Sequence, residues 1–237
     1  MNNIFGPLFG ILYPAFCRHC GGGLVAGESF FCGRCLFSVR VIDGPVCTTC
    51  GRVFDGAGEG HDCSQCASKR PPFDMARAHA VYDGAVKEAI RLYKYRPLRT
   101  LKGYLGGLVA QEAAKWYNGA EVAVPVPLHK KRLRQRGFNQ SLFLADSAAR
   151  AAGARLSIDG LVRTRYTKPQ VDLGPGEREE NVKGAFMVAR AEEFRGRKVL
   201  LVDDVYTTGA TVKECSRVLK KAGADAVFVL TVARVVG

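Results

Sequence analysis

Beyond residue 76 the apolar positions follow two alternating periods. Val199 to Val202 is a continuous apolar run that stops at Asp203 and Asp204. A run of that kind predicts a buried parallel strand, because parallel strands are covered on both faces. Val212, Cys215, Val218 and Leu219 then recur at helical spacing until Gly223, and Ala226 to Val232 reads as a last strand. Upstream, Arg77 to Tyr82 alternates as a strand. Val86, Ala89, Ile90 and Tyr93 mark a helix that leaves Lys87, Arg91 and Lys94 on its other faces. Pro97 interrupts, and a second helix is expected from about Leu98 to Tyr117. Val122 to Pro127 is a short apolar strand entering a proline-punctuated loop, Leu142, Ala145, Ala149 and Ala152 mark a helix, and Ala185 to Val188 resumes strand character. Thr164 to Lys183 is polar and glycine-containing, without periodicity. Repeated strand–helix alternation predicts a parallel α/β sheet.

The first 66 residues carry a different signal. Eight of the nine cysteines form four C-x-x-C pairs, Cys17/Cys20, Cys32/Cys35, Cys47/Cys50 and Cys63/Cys66. Two intervening residues let both thiolates of a knuckle reach one tetrahedral Zn²⁺, and a second knuckle completes a set of four cysteine ligands. The simplest pairing is sequential, giving two structural zinc sites; an interleaved cross-brace and an iron–sulfur cluster are the alternatives. Cys215 stands apart in a helical pattern and reads as core. Ala67 to Ala76, with Pro71-Pro72, reads as a linker between a small cysteine-rich zinc-ribbon domain (1–70) and an α/β domain (73–237).

The chain has 237 residues and a formal net charge of +13, which two zinc centres of four thiolates each would reduce to about +9. The excess is clustered. No acidic residue lies between Glu88 and Glu112 or between Glu121 and Asp146. The second gap holds Lys130, Lys131, Arg132, Arg134 and Arg136. Clustering points to an anionic partner, and Lys130, Lys131, Arg132 and Arg136 are candidates for contacting nucleic acid, against the plainer alternative of a solvated basic loop. Ile4 to Phe16 is apolar but contains Pro7 and Pro14, lacks a basic leader, and is too short to span a bilayer. A soluble, cytoplasmic protein is expected.

The chemistry concentrates after the apolar run. Asp203 and Asp204 can accept hydrogen bonds from vicinal hydroxyls or hold a divalent cation. The small residues of Thr207-Thr208-Gly209-Ala210-Thr211 let backbone N–H groups approach a phosphate, and the dipole of the following helix adds to this. Diol acceptors followed by a phosphate cradle describe a ribose 5-phosphate site. A receiver domain also ends its first strand on acidic residues, but it needs about a hundred more residues. Only 33 follow Asp204.

Val199 to Thr211 resembles the phosphoribosyl pyrophosphate (PRPP) signature of type I phosphoribosyltransferases. Three further features narrow the resemblance: the paired knuckles, the Val-Pro-Val-Pro-Leu-His strand end leading to Arg-Gly-Phe-Asn-Gln-Ser (136–141), and the segment from Gln170 through Arg178 and Asn181 to Phe186. From about Phe9 to Val235 the chain is similar to the ComF family. That resemblance implies an N-terminal double zinc ribbon and a type I phosphoribosyltransferase-like domain. In competent bacteria it implies a role in DNA uptake beside a helicase-like ATPase. By the same resemblance Asp203 and Asp204 are the catalytic pair on the ribose hydroxyls, Thr207, Thr208, Gly209, Ala210 and Thr211 hold the 5-phosphate, and Val205 also lines the PRPP site. Pro125, Val126 and Pro127 form the pyrophosphate loop with Lys94 or Arg134, and Mg²⁺ accompanies PRPP. Gln170, Arg178 and Asn181 anchor a flap that excludes water. Two functions are expected. One is an enzyme that transfers the phosphoribosyl group to an unidentified nucleophile. The other is a non-catalytic sensor of PRPP or a nucleotide that binds single-stranded DNA or a competence partner.

Overall fold

A computed structural model of the chain describes residues 15–56, 58–95, 99–167 and 174–236. In the cysteine-rich segment two short helices, α1 (Gly33–Phe37) and α2 (Ser64–Ser68), each start directly after a cysteine in extended conformation, Cys32 and Cys63. The body then runs β1 (Met75–Val81), α3 (Gly84–Tyr95), α4 (Arg99–Trp116), β2 (Val122–Pro125), α5 (Lys130–Arg136), α6 (Gln140–Ala152) and β3 (Arg155–Leu156). It continues with β4 (Leu161–Arg163), α7 (Pro175–Val182), β5 (Phe186–Val188), β6 (Lys198–Tyr206), α8 (Ala210–Lys221) and β7 (Ala226–Arg234).

Five strands form one sheet in the order β1-β7-β6-β2-β3, every pair parallel. β4 and β5 pair antiparallel in a separate ribbon. The apolar run of β6 is buried on both faces. Leu200 and Val202 join the cluster formed with α3, α4 and α6, while Val199 and Leu201 join Val212, Cys215 and Leu219 of α8 on the other face. Complete burial of both faces explains why this strand reads as continuous rather than alternating.

The chain leaves β2 outward to β3 and leaves β6 outward to β7, in opposite directions. The crevice between the carboxyl ends of β2 and β6 is therefore a topological switch point, where open α/β sheets bind ligands. The ladder between these two strands ends at Pro125 opposite Val202, after which the Val126 N–H donates to the Val202 carbonyl (2.9 Å). β6 does not stop at its carboxylates: it stays paired with β7 through Tyr206 and Arg234. Asp203 and Asp204 thus stand inside a strand, at the point where its neighbour β2 departs.

Two segments without apolar periodicity are helices. The basic run 130–136 is α5. The second half of the polar stretch 164–183 is α7, with Pro175 at its start and the Glu177 carboxylate accepting from the Gly174 N–H (2.8 Å). The linker expected at 67–76 is also shorter, since α2 occupies its first residues, β1 its last, and Phe73 is fully buried.

The cysteine-rich segment seals the sheet edge. Val41 bridges Ala80 antiparallel, the Ile42 N–H donates to the His79 carbonyl (2.8 Å), and the Val81 N–H donates to the Arg40 carbonyl (2.9 Å). The Ala76 N–H donates to the Thr49 carbonyl (2.7 Å). These bonds satisfy the otherwise open edge of β1. Among the described residues no helix is long and apolar enough to cross a membrane.

Candidate functional site

The two carboxylates in the crevice have different partners. Asp203 Oδ1 accepts from the Ser141 hydroxyl (2.9 Å) and from the Asp204 backbone N–H (2.9 Å). Asp204 is 6% exposed; its Oδ2 pairs with Lys94 Nζ at 3.0 Å and accepts from Gln140 Nε2 at 3.4 Å. The Lys94 ammonium thus pairs with one of the two adjacent carboxylates and reaches Asp203 only as a nearby charge. Burial, and after it the Asp204 charge, push the Asp203 carboxyl up to about 7; Ser141 and Lys94 pull it only part of the way back. Burial works to lower the pKa of Lys94, but the Asp204 carboxylate outweighs it and holds the ammonium above its ordinary value.

Residues 139–141 build this arrangement. Asn139 Oδ1 caps α6 by accepting from the Ser141 N–H (3.1 Å), and its Nδ2 donates to the Val126 carbonyl (3.1 Å). One side chain thereby ties the loop after β2 to the start of α6 and presents Gln140 and Ser141 to the acid pair. Gln140 Oε1 also accepts from Arg136 Nη1 (3.2 Å), which links the basic helix to Asp204. The Arg-Gly-Phe-Asn-Gln-Ser string is visible in the sequence, yet the sequence reading assigns no role to Asn139, Gln140 or Ser141. The available signal is Asn139 directly before an apolar helical pattern.

Beyond the carboxylates, Val205 and Tyr206 finish β6. Thr207 is exposed, Thr208 and Thr211 are half-buried, and Gly209 and Ala210 are buried. Gly209 caps α8 with φ +77°, and a Cβ there would lie 2.6 Å from Tyr206 Cζ, so glycine is required twice over. Thr208 Oγ1 accepts from the Ala210 N–H at 3.4 Å. Across the crevice, Pro125 and Val126 are buried and Pro127 is half-buried.

The basic candidates lie on α5, none of whose residues is buried. Lys130, Lys131 and Arg134 are exposed, and Arg132 and Arg136 are half-buried. Lys131 Nζ lies 4.8 Å from the Tyr166 ring centroid, and the His129 ring meets the same tyrosine edge-on at 5.3 Å. Arg178 and Asn181 are half-buried on α7, which Lys213 of α8 anchors through Glu179 (2.9 Å). Gln170 lies outside the described residues. Of the aromatic residues beside the basic runs, Tyr93 is core and packs edge-on against Phe138 (5.7 Å), whereas Tyr95 is exposed.

The cysteines gather as Cys17, Cys20, Cys32 and Cys35, and as Cys47, Cys50, Cys63 and Cys66, with the ligand atoms of each set within 4.8 Å of one another. Sequential pairing is therefore the correct one. Burial works to raise the Cys17 and Cys47 thiols, but backbone N–H donors outweigh it and bring them down to about 6 and about 7. The Cys32 N–H points at Cys17 Sγ (3.4 Å), and those of Cys50 and Cys63 point at Cys47 Sγ (3.3 Å each). Four convergent sulfurs with amide donors at the thiolate fit structural zinc and leave no position open for chemistry. Cys215 is core, as expected.

Residues 8–67 match the double zinc ribbon domain family, and residues 139–235 match the phosphoribosyl transferase domain family. Competence protein F of Haemophilus influenzae is 30% identical over 225 residues, which cover 92% of this chain and 96% of that protein. DNA utilization protein YhgH of Escherichia coli K12 is 31% identical over 227 residues, covering 93% and 97%. Among solved structures, that of the allosteric regulatory enzyme of purine biosynthesis is 26% identical with a TM-score of 0.38, covering 54% of this chain and 25% of that one.

Proposed function

This chain belongs to the competence protein F family, and we propose that its crevice binds PRPP and transfers the phosphoribosyl group. One observation carries the reading. Two carboxylates and the glycine-capped start of α8 meet at the switch point between β2 and β6. Asp203 and Asp204 accept from the ribose 2- and 3-hydroxyls. The backbone N–H groups of 207–211 and the α8 dipole receive the 5-phosphate. The diphosphate faces Pro125–Pro127, with Lys94 and Arg134 as its cationic partners, and Arg178 and Asn181 belong to the closing flap together with Gln170. Carboxylates at a diol site also suit Mg²⁺, which when bound supplies neutralisation of the diphosphate.

In the transfer step a nucleophile's lone pair forms the new bond to ribose C1 as the C1–O bond breaks, and pyrophosphate leaves with the electron pair. Lys94 contributes here. Its ammonium is already held beside the acid pair, so it can support leaving-group charge without being recruited from solvent. A thermal shift tests the reading. PRPP with Mg²⁺ at a hundredfold excess over Kd should raise the melting temperature by about 5–10 °C. Asp203→Ala with Asp204→Ala should abolish the shift; a retained shift would put the ligand elsewhere.

A second reading rests on α5, seven residues of which five are basic and none is buried. In this reading the pocket senses PRPP without turnover, and Lys130, Lys131, Arg132 and Arg136 hold single-stranded DNA. The two relatives' names, a competence protein and a DNA utilization protein, favour such a link to DNA uptake.

A further inference from the structure

We propose that the second zinc ribbon positions the phosphate loop through Arg234 and Tyr206, so that metal at Cys47, Cys50, Cys63 and Cys66 and an anion at Thr207–Thr211 stabilise each other. The inference rests on the reading of 207–211 as a phosphate loop.

Tyr206 and Arg234 are the last residues of β6 and β7 and stand opposite each other in register. Arg234 is 6% exposed, and its Nη1 donates to the Cys50 carbonyl at 2.6 Å. Cys50 belongs to the knuckle of the second cluster. The next residue, Gly51, has φ +71°, and a Cβ on it would sit 3.2 Å from Arg234 Nη1 and 2.5 Å from the Ala76 carbonyl oxygen. The knuckle therefore lies flush against the guanidinium. The guanidinium carbon in turn lies 4.9 Å from the Tyr206 ring centroid, and that ring abuts Gly209, where nothing larger than hydrogen fits. Knuckle, guanidinium, phenol and loop glycine thus form one buried contact chain. Cys47, Cys50, Cys63, Cys66, Tyr206, Ala210 and Val212 share a single core cluster.

Charge gives this chain its direction. Arg234 has no ion pair with a carboxylate among the described residues, and its buried Nε has no hydrogen-bond partner. A desolvated, uncompensated guanidinium is costly. Four thiolates around one Zn²⁺ carry a formal charge of −2, which makes the metal centre the countercharge of Arg234. The tyrosine face adds a cation–π contact. With metal in place the guanidinium is held, the phenol is held by the guanidinium, and Gly209 is held by the phenol. Arg234 and Tyr206 are positioning residues, since neither is assigned a contact with PRPP.

Coupling between two binding sites is reciprocal and commonly amounts to a factor of about ten. The test uses the full zinc-loaded chain in competition with a zinc-selective chelator. Saturating PRPP with Mg²⁺ should tighten one of the two zinc ions about tenfold and leave the other unchanged. Arg234→Met should lose that tightening and bind PRPP about tenfold more weakly, and Arg234→Lys should recover part of both. Hydrogen exchange at the 207–211 amides reads the coupling without PRPP: it should quicken about tenfold in Arg234→Met while the β2 amides stay protected. If the wild type fails to bind PRPP and these amides still quicken, the PRPP reading falls and the coupling stands. If the wild type binds PRPP and neither zinc ion is held more tightly for it, the coupling is wrong, whatever the loop amides do. The chelator competition on the wild type needs no variant, so it decides the matter even where an Arg234→Met chain fails to fold.

Discussion

Asp203 shows how a single side chain carries both a cost and a use. Its carboxyl is held up to about 7 against an ordinary 3.8. Between those pH values the native chain keeps a proton that the unfolded chain has released. Stability therefore falls as pH rises through that window, by at most about 1.4 kcal/mol per pH unit for this one group. Asp203→Asn removes the cost, so the variant should gain on the wild type from pH 5 to pH 7 in urea unfolding; a pH-independent difference would mean that Asp203 holds no such proton. PRPP affinity should move the other way in the wild type, rising toward pH 8 as the better acceptor, the carboxylate, forms. The acid pair is legible in the sequence because two adjacent carboxylates after an apolar run are expensive to bury without a purpose. Its partners are not. Ser141 and Gln140 are 62 and 64 residues distant in sequence, and nothing local marks them as neighbours of the acid pair.

Elements with an apolar face are visible from periodicity, and those without one are not. α6 and α8 each bury a stripe, and both lie close to their expected positions. α5 buries nothing, so its helix shows only in its ends: the His129 side chain accepts from the Lys131 N–H, and Gly137 closes it at φ +79°. For α7 the cues are present, Pro175 at the first position and Glu177 two residues on, but they are outweighed in a segment with no apolar stripe to read. A solvated helix rich in Lys and Arg suits a polyanion. If α5 holds single-stranded DNA, binding at low salt should weaken steeply as salt is added. Lys130→Ala with Lys131→Ala should make the log–log salt slope shallower by about 0.7 for each lost phosphate contact. Titration at several salt concentrations decides; absent binding at low salt, or an unchanged slope, removes α5 from that role.

Across the molecule the cysteine-rich segment and the sheet are built into one another. Cys17 and Cys35 join the core cluster on one face of the sheet, the second cluster joins that on the other, and residues 40–42 and 49 cover the edge of β1. Metal analysis should find two zinc ions per chain. Stripping them should lower the melting temperature by well over ~10 °C and expose the β1 amides to exchange, because structural zinc contributes directly to folding free energy. Unchanged protection of β1 would mean that the edge is sealed without the ribbon. Local chemistry announces the knuckles, the acid pair and the glycine-capped loop, since each depends on residues close in sequence: cysteines with two residues between them, carboxylates side by side, a glycine where only glycine fits. Sheet order, the pairing of Lys94 with Asp204, the bracing by Asn139, Gln140 and Ser141, and the line from Cys50 through Arg234 and Tyr206 to Gly209 depend on long-range neighbours. Those contacts come into being when the sheet assembles and β2 and β6 part to open the crevice, so the tertiary structure alone specifies them.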